Sequence, residues 1–525
     1  MPHDFYSLLQ QNMAQLRYIG PELMVVTTFF LALLFDLAVQ PERRKSTGYV
    51  CLVGLLVALW LTWRQNEEFV DQLNHGLLSR KLVFSGMFAY DQYGTFFKFI
   101  LLLGTSVSLL LAIHSREVSA RNQGDFFLLL VAVCAGGMFL ASSTNLLMIY
   151  LSLEFVSIIS YALAGSLRRD RKSAEAGIKY VVYGAMSSGI MLYGMSYLYG
   201  LTGTLSLLDT TSPAGGTVQG VASRILELEG RYGAGPRSAI AAILVLFFSG
   251  FLYMIAAVPF HYWSPDVYEG SPTVATGFFS VVPKAAGFAV LIRTLCAFFP
   301  IGQNTHAWLS YPHVESIVAV LAVLSMVIGN LAALGQSNAK RMLAYSSIAH
   351  AGYMLAGLSV LENTGGPAAV LLYLVIYLFM NLGAFLVLIA LENTFGGSEL
   401  RQLRGAVRRE PLLCVLLCVF LFSLTGLPPL GGFIGKYLIM WRLADAGRYG
   451  MIFWIGLNSV VSLYYYMRLA KAVVIDQPEE PLAPAEPAPV SYRVLAVCQG
   501  AALLALFFWF EPVQRLCLQV LETLR

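Results

Sequence analysis

An all-α polytopic membrane fold with about fourteen transmembrane helices is predicted by three features of the sequence. The 525-residue chain is 57% hydrophobic and only 12% charged, with a mean hydropathy of +0.68, whereas soluble domains carry about a quarter charged residues. Apolar stretches of about 20 residues, the length a helix needs to cross lipid, recur from one end of the chain to the other. Two of these stretches are interrupted by proline and glycine at places five spans apart, the pattern of an inverted-repeat transporter. The net charge of +4 is spread through the loops and forms no basic patch, so nucleic acid is excluded as a partner and a lipid bilayer is expected. Seven cysteines form no CxxC and no Cys/His cluster, which argues against a disulfide framework, a metal site or an iron-sulfur site.

The spans fall at roughly 19–40, 48–63, 94–114, 126–141, 144–165, 176–201, 239–258, 272–299, 316–335, 341–360, 366–392, 412–442, 450–474 and 491–513. An even number puts both termini on one side. Alternate loops hold 18 Lys and Arg residues, from Arg43, Arg44 and Lys45 to Arg468, Lys471 and Arg493, against 11 in the opposite set. Positive charge marks the cytoplasmic side, so both termini are expected to be extracytoplasmic. The polar start MPHDFYSLLQQNMAQLR has no cleavable-signal pattern. Residues 1–125 then supply helices 1–3, 126–299 a first five-helix repeat (helices 4–8), 300–475 a second, inverted repeat (helices 9–13), and 476–525 a Pro-rich linker with helix 14. An odd number of helices per repeat forces opposite orientations. In the long loop 202–238, VASRILELEGR is expected to form one short surface helix. Residues 478–489, PEEPLAPAEPAP, read as an extended linker.

The stretch Phe251 to Arg293 carries the densest functional signal. Pro259, followed by His261, Trp263, Pro265, Asp266 and Glu269, would be costly facing hydrocarbon, so helix 7 is expected to break and line a protein-walled or watery interior. Lys284 sits near mid-membrane beside Pro283, where a charge costs roughly 2.5 to 3.5 kcal/mol on insertion scales. Helix 12 breaks at Gly426, Pro428, Pro429, Gly431 and Gly432, with Lys436 directly behind. Glu154 lies in the middle of helix 5 near Ser152, Ser157 and Ser160, and reads as a proton or ion site or as a packing hydrogen bond. Lys179 lies close enough to the RRDRK loop to snorkel. His350 suits a proton relay near neutral pH or a satisfied interior histidine. His261 reads equally as a gate or a cap, and Lys98 and Arg293 as end-of-helix or lateral charges. Desolvation makes an ammonium easier to deprotonate and a nearby carboxylate makes it harder, so a small motion loads or releases a proton. A row of such groups without a pocket signature favours proton movement over transport of a bulky solute.

The segments VPFHYWSPDVYEGSPT, NAKRMLAYSSIAHAGYMLAG and GLPPLGGFIGKYLI resemble the subunit N family of bacterial NADH-quinone oxidoreductase, respiratory complex I. The likeness runs through nearly all fourteen helices, and PFHYWSPDVYEG separates it from the sister antiporter-like subunits. The resemblance implies a membrane-arm subunit of the bacterial inner membrane that moves protons, while other subunits, holding FMN and iron-sulfur clusters, oxidise NADH and reduce quinone. It implies no cofactor and no redox site in this chain, and makes the other membrane-arm subunits its partners. By position it assigns Glu154 as the helix-5 glutamate, Lys179 as the helix-6 lysine, Lys284 as the central lysine of helix 8 and Lys436 as the exit-side lysine of helix 12.

One position departs from the family pattern. Five residues before the proline of VPFH the family has a lysine, and this chain has Met254. Glu154 then lacks its usual partner, and Lys179, about 12 Å away in depth at 1.5 Å per residue, is the expected substitute. That coupling would run through water in a cavity lined by Ser157, Ser160 or Tyr183. Two rival readings are a multi-chain cation/proton antiporter subunit without redox partners, and a structural paralogue of subunit N that does not pump.

Overall fold

The computed structural model describes residues 10–524 apart from 11, 41–42, 76–79, 168–169, 212–216, 233–236, 300–313, 362–363 and 479–486. The proline-rich linker predicted at 478–489 therefore lies mostly outside the described residues. The chain begins with α1 (Gly20–Ala38) and α2 (Lys45–Asn74), followed by a hairpin of β1 (Lys81–Val83) and β2 (Phe88–Tyr90), with Lys81 opposite Tyr90. Then come α3 (Gln92–His114), α4 (Gln123–Ser142), α5 (Leu146–Ala164) and α6 (Arg171–Thr202). The long loop holds β3 (Thr210–Thr211) paired with β4 (Thr217–Val218), and the short helix read from VASRILELEGR, α7 (Val221–Tyr232).

After it, α8 (Arg237–Met254), α9 (Trp263–Gly270), α10 (Thr273–Phe298), α11 (Val314–Leu334), α12 (Ala339–Leu358) and α13 (Gly365–Phe395) follow. The chain closes with α14 (Pro411–Thr425), α15 (Gly431–Asp445), α16 (Tyr449–Val474), α17 (Val490–Phe508) and α18 (Phe510–Glu522). Among the described residues, ten helices are long and apolar enough to cross a membrane: α1 to α5, α8, α10, α11, α13 and α17. The rest of the predicted spans correspond to α6, α12 and α16, which carry more serine, glycine, tyrosine and charge, and to α14 with α15, the two halves of an interrupted helix.

Burial sorts the helices into a centre and a rim. Every residue of α10 from Thr273 to Cys296 is buried, and α13 is nearly as enclosed, as expected of helices that are apolar all round. By contrast α1, α2, α5 and α16 expose large apolar side chains such as Phe30, Leu34, Trp60, Ile158 and Val460, a surface suited to lipid.

Two breaks cut this pattern. After α8, Ala256 takes a left-handed φ of 57° and the Val258-Pro259 bond is cis. The donors freed there are met inside the protein: Ala257 N–H bonds Leu252 O at 2.8 Å and Val258 N–H bonds Ser325 Oγ at 3.0 Å. After α14, Gly426 (φ 90°) supplies the left-handed residue that ends the helix, and Gly426 and Leu427 N–H both return to Phe422 O. A cis Pro428-Pro429 bond follows.

Two small clasps recur with the same spacing. Asn145 caps α5 and bridges to Ser206; Asn338 caps α12 and bridges to Glu399. The hydrogen bonds correspond one for one: Leu146 N–H to Leu205 O (2.8 Å) and Leu207 N–H to Thr144 O (2.9 Å) in the first, Ala339 N–H to Ser398 O and Leu400 N–H to Ser337 O (both 2.9 Å) in the second. The two ends of the chain share one face, where Lys81 reaches the hydroxyl of Tyr18 at 2.7 Å and Arg80 the carbonyl of Leu524 at 3.3 Å. On the opposite face the basic loops meet, as where Arg44 binds the carbonyl of Arg121 and Gly405 N–H that of Ala472.

Candidate functional site

Lys284, His350 and Lys436 come together around α12. Lys284, 1% exposed, projects from the central α10 and donates to Ser347 O at 3.1 Å and Ser347 Oγ at 2.8 Å. One turn further along α12, His350 is held at both ring nitrogens: Nδ1 is 2.7 Å from the hydroxyl of Tyr373 and Nε2 3.3 Å from that of Tyr466. Tyr466 is also hydrogen-bonded to Ser346. Neutral imidazole offers one donor and one acceptor, so one tyrosine must donate to the ring while the other accepts from it. Reversing the tautomer reverses both bonds, which is the behaviour required of a relay.

Lys436 stands on the far side of His350, on the half-helix that follows the second break. Its ammonium donates to Thr425 O at 2.9 Å and Ser459 Oγ at 3.2 Å and lies 4.3 Å from the centre of the Tyr353 ring. The break is what frees the Thr425 carbonyl for it. Gly435, beside it, is required by packing: a Cβ there would stand 2.2 Å from Tyr373 Cδ2, so only glycine lets the histidine's partner lie against α15. Behind this group Asn330 links Tyr353 (3.2 Å) and Tyr465 (3.0 Å), fixing the wall. His350 lies within the field of both lysines.

Glu154 and Lys179 lie outside this group. Glu154 is half-buried on α5, and its Oε1 is enclosed without a hydrogen-bond partner among the described residues; the hydroxyls of Tyr161 and Tyr253 lie within reach of its charge. Lys179 does not turn toward it. Its ammonium is 2.6 Å from Glu175 and 2.6 Å from Asp266, and Asp266 continues to Arg341 (2.9 Å), Glu269 and Lys172. The expected coupling of Lys179 to Glu154 through Ser157, Ser160 and Tyr183 is therefore replaced by a charge network joining α6, α9 and α12. The reason is distance: two carboxylates in contact outcompete one on another helix that lies deeper. Met254 packs against α10, where a Cβ on Gly287 would stand 3.2 Å from its Cγ.

Other expectations are also revised. Lys98 and Arg293, read as end-of-helix or lateral charges, are fully buried ion pairs, Lys98 with Glu22 at 2.7 Å and Arg293 with Asp91 at 2.6 Å. His261 sits in the first break, 5% exposed, where its carbonyl accepts from Ser264 N–H at 3.0 Å and so caps α9 through the backbone. On the basic-loop face, Thr273 binds Glu117 through N–H (2.7 Å) and Oγ1 (2.8 Å) and also bonds Glu392, while Lys340 donates to Thr273 Oγ1 at 3.2 Å. Burial, reinforced by Glu392, pushes the Glu117 carboxyl up to about 7.

Residues 143–462 match the family model described as NADH:quinone oxidoreductase/Mrp antiporter, TM. The chain is 39% identical over 98% of both lengths to NADH-quinone oxidoreductase subunit N of Anaeromyxobacter sp. (strain Fw109-5), and 41% identical over 91% of both lengths to subunit N 2 of Sorangium cellulosum (strain So ce56). Among solved structures, it is similar to a chain of respiratory complex I from Thermus thermophilus with bound aureothin (TM-score 0.73, 34% identity, covering 94% of this chain and 98% of that one). It also shares its fold with a chain of the Mrp complex from Dietzia sp. DQ12-45-1b (TM-score 0.78, 18% identity, 97% of each chain).

Proposed function

The chain belongs to the NADH:quinone oxidoreductase/Mrp antiporter family of membrane subunits, and from that premise we propose that it translocates protons in the membrane arm of an NADH-quinone oxidoreductase. NADH oxidation and quinone reduction belong to other subunits, and this chain contributes as a translocase. Its partners are the neighbouring membrane-arm subunits. The observation that carries the reading is the gathering of Lys284, His350 and Lys436 around α12, buried at the centre of the bundle, with Ser347 on the first lysine, Tyr373 and Tyr466 on the histidine and Ser459 on the second lysine. A proton leaving Lys284 neutralises it and removes a repulsive charge from His350; the imidazole then takes up a proton at one nitrogen and releases one from the other toward Lys436. Tyr373 and Tyr466 carry the hydrogen bonds that reverse in each passage.

In this reading Glu154 is the uptake group, partnered by Tyr161 and Tyr253 in place of the family's lysine, and Lys179 is a positioning residue that fixes α9 through Asp266. The matching clasps at Asn145 and Asn338 support two repeats, helices 4–8 (126–299) and 9–13 (300–475), flanked by residues 1–125 and 476–525, fourteen spans in all. The gathering of the basic loops on the face opposite the termini supports an inner-membrane placement with both termini extracytoplasmic. The test is the proton-to-electron ratio of the whole complex in vesicles with Lys284→Met: a wild-type ratio would remove this chain from the proton path.

A further inference from the structure

We propose that Glu22 and Lys98, buried among the N-terminal helices, form a second proton-exchanging site, open to solvent on the terminus-bearing face through the cleft at Gln65. The proposal rests on the translocating role given above. The two side chains are 0% and 3% exposed and 2.7 Å apart, yet neither is saturated. Glu22 Oε2 is enclosed and accepts no hydrogen bond among the described residues. Beyond Glu22, the ammonium of Lys98 reaches, among the described residues, only Gln65 Oε1, at 3.4 Å, leaving one of its three protons open there. An ion pair kept for stability alone needs its remaining lone pairs and protons satisfied to offset desolvation. An open acceptor beside an open donor is instead a seat for water.

Gln65 connects the pair outward. Its Nε2 donates to Tyr18 O at 3.1 Å, and it lines an open cleft of about 470 Å³ together with Tyr18, Arg17, Arg64, Glu68 and Tyr90. One amide, carrying both a donor and an acceptor, thus separates buried charge from a polar cleft. The pair also connects inward. Ser142 Oγ donates to Glu22 Oε1 at 3.5 Å, and a Cβ on Gly94 would stand 3.2 Å from that hydroxyl and 3.1 Å from Asp91 Oδ1. Asp91 is gripped by both ends of the Arg293 guanidinium, at 2.6 and 2.9 Å, and Arg293 shares α10 with Lys284.

The step is a simple protonation. A proton from cleft water joins the Glu22 carboxylate, the pair passes from net zero to net +1, and release by the same route restores the ion pair, so the site carries no proton across by itself. Its +1 state opposes charge on α10 and times release from Lys284, which is how it sets the protons moved per electron. Charge on α10 biases the exchange through Asp91–Arg293 and Ser142.

The experiment uses the whole complex in vesicles with a pH-sensitive dye, comparing wild type, Glu22→Gln with Lys98→Met, Gln65→Leu, and Lys284→Met. The double variant and Gln65→Leu are expected to reduce quinone at the wild-type uncoupled rate while losing protons per electron, and the double variant to lose a carboxyl band from the turnover infrared difference spectrum. A wild-type ratio in the double variant, with pumping lost in Lys284→Met, overturns this site alone. If Lys284→Met pumps normally too, the translocating role itself falls. Should the double variant fail to assemble, Gln65→Leu decides, because it leaves both ion pairs in place: an unchanged ratio there refutes the route.

Discussion

Replacing Lys284 by methionine removes a charge while keeping the chain length, and the structure sets what should follow. The side chain is enclosed on α10 and gives two hydrogen bonds to Ser347. Each bond from a charged donor is worth about 1.5 to 3 kcal/mol net, about 3 to 6 for the two, and a mid-membrane ammonium costs roughly 2.5 to 3.5 kcal/mol, so much of the loss is offset. The variant should assemble with a loss in stability of no more than about 3 kcal/mol. The functional effect is separate. Ser347 and His350 are one turn apart on α12, and two unit charges about 7 Å apart at an effective dielectric near 20 interact by about 2 kcal/mol, roughly a thirtyfold bias on whether both sites are charged at once. Without that push the histidine no longer alternates between loading and release. Quinone reduction with ionophore should stay near wild type, and the proton-to-electron ratio should fall by the share this chain carries. An assembled Lys284→Met complex that pumps at the full ratio would refute the reasoning.

Lys436→Ala should lower translocation without blocking assembly, since a neutral residue after a break is easier to insert; comparing vesicle pumping with the amount of intact complex on a native gel checks both halves. Tyr466→Phe removes the hydroxyl shared by His350 and Ser346 and should slow proton movement severalfold, with a larger solvent deuterium effect than wild type; an unchanged isotope effect would place Tyr466 in the wall. Because Glu117 is raised to about 7, the folded protein holds that proton more tightly than the unfolded chain does. Its contribution is full below the ordinary glutamate value, about 4.5, and is lost as pH rises through about 7, amounting to at most about 3 kcal/mol. Melting of the solubilised protein should therefore drop between about pH 5 and 7.5, and Glu117→Gln should flatten that slope.

The helices and both breaks were legible because lipid leaves the backbone no other options: apolar length marks a span, and proline or glycine within one marks an interior break. Lys284 and Lys436 stood out for the same reason, as charges where charge is expensive. What joined them did not stand out. Ser347, Tyr373 and Tyr466 sit in runs that read as ordinary helix, and only the packing of α12 against α10, α13 and α16 gives them partners. Ser347 left one faint sign, lying seven residues after Lys340 on the same helical face. The partner of Lys179 is not legible from depth along its own helix, because Asp266 arrives from the far side of a break 87 residues later. Arg293 and Lys98 look like solvated helix-end charges in the sequence because the carboxylates that pair with them, Asp91 and Glu22, come from distant segments.

The paired asparagine clasps give the two halves of the chain a common ruler. Counted from Asn145, Glu154 is the ninth residue; counted from Asn338, the ninth is Ser347. Where one half presents an acid, the other presents a hydroxyl, and that hydroxyl is occupied by Lys284, a residue of the first half. In the proposed path the hand-over therefore falls at the seam, with Lys284 from one half and Ser347 from the other. A chain cut between α10 and α11 would need both pieces to rebuild the Lys284–Ser347 contact. Ser347 also marks where ancestry could be run backwards: a carboxylate placed there would meet Lys284 directly, lock its proton in a buried ion pair, and convert a conductor into a clasp.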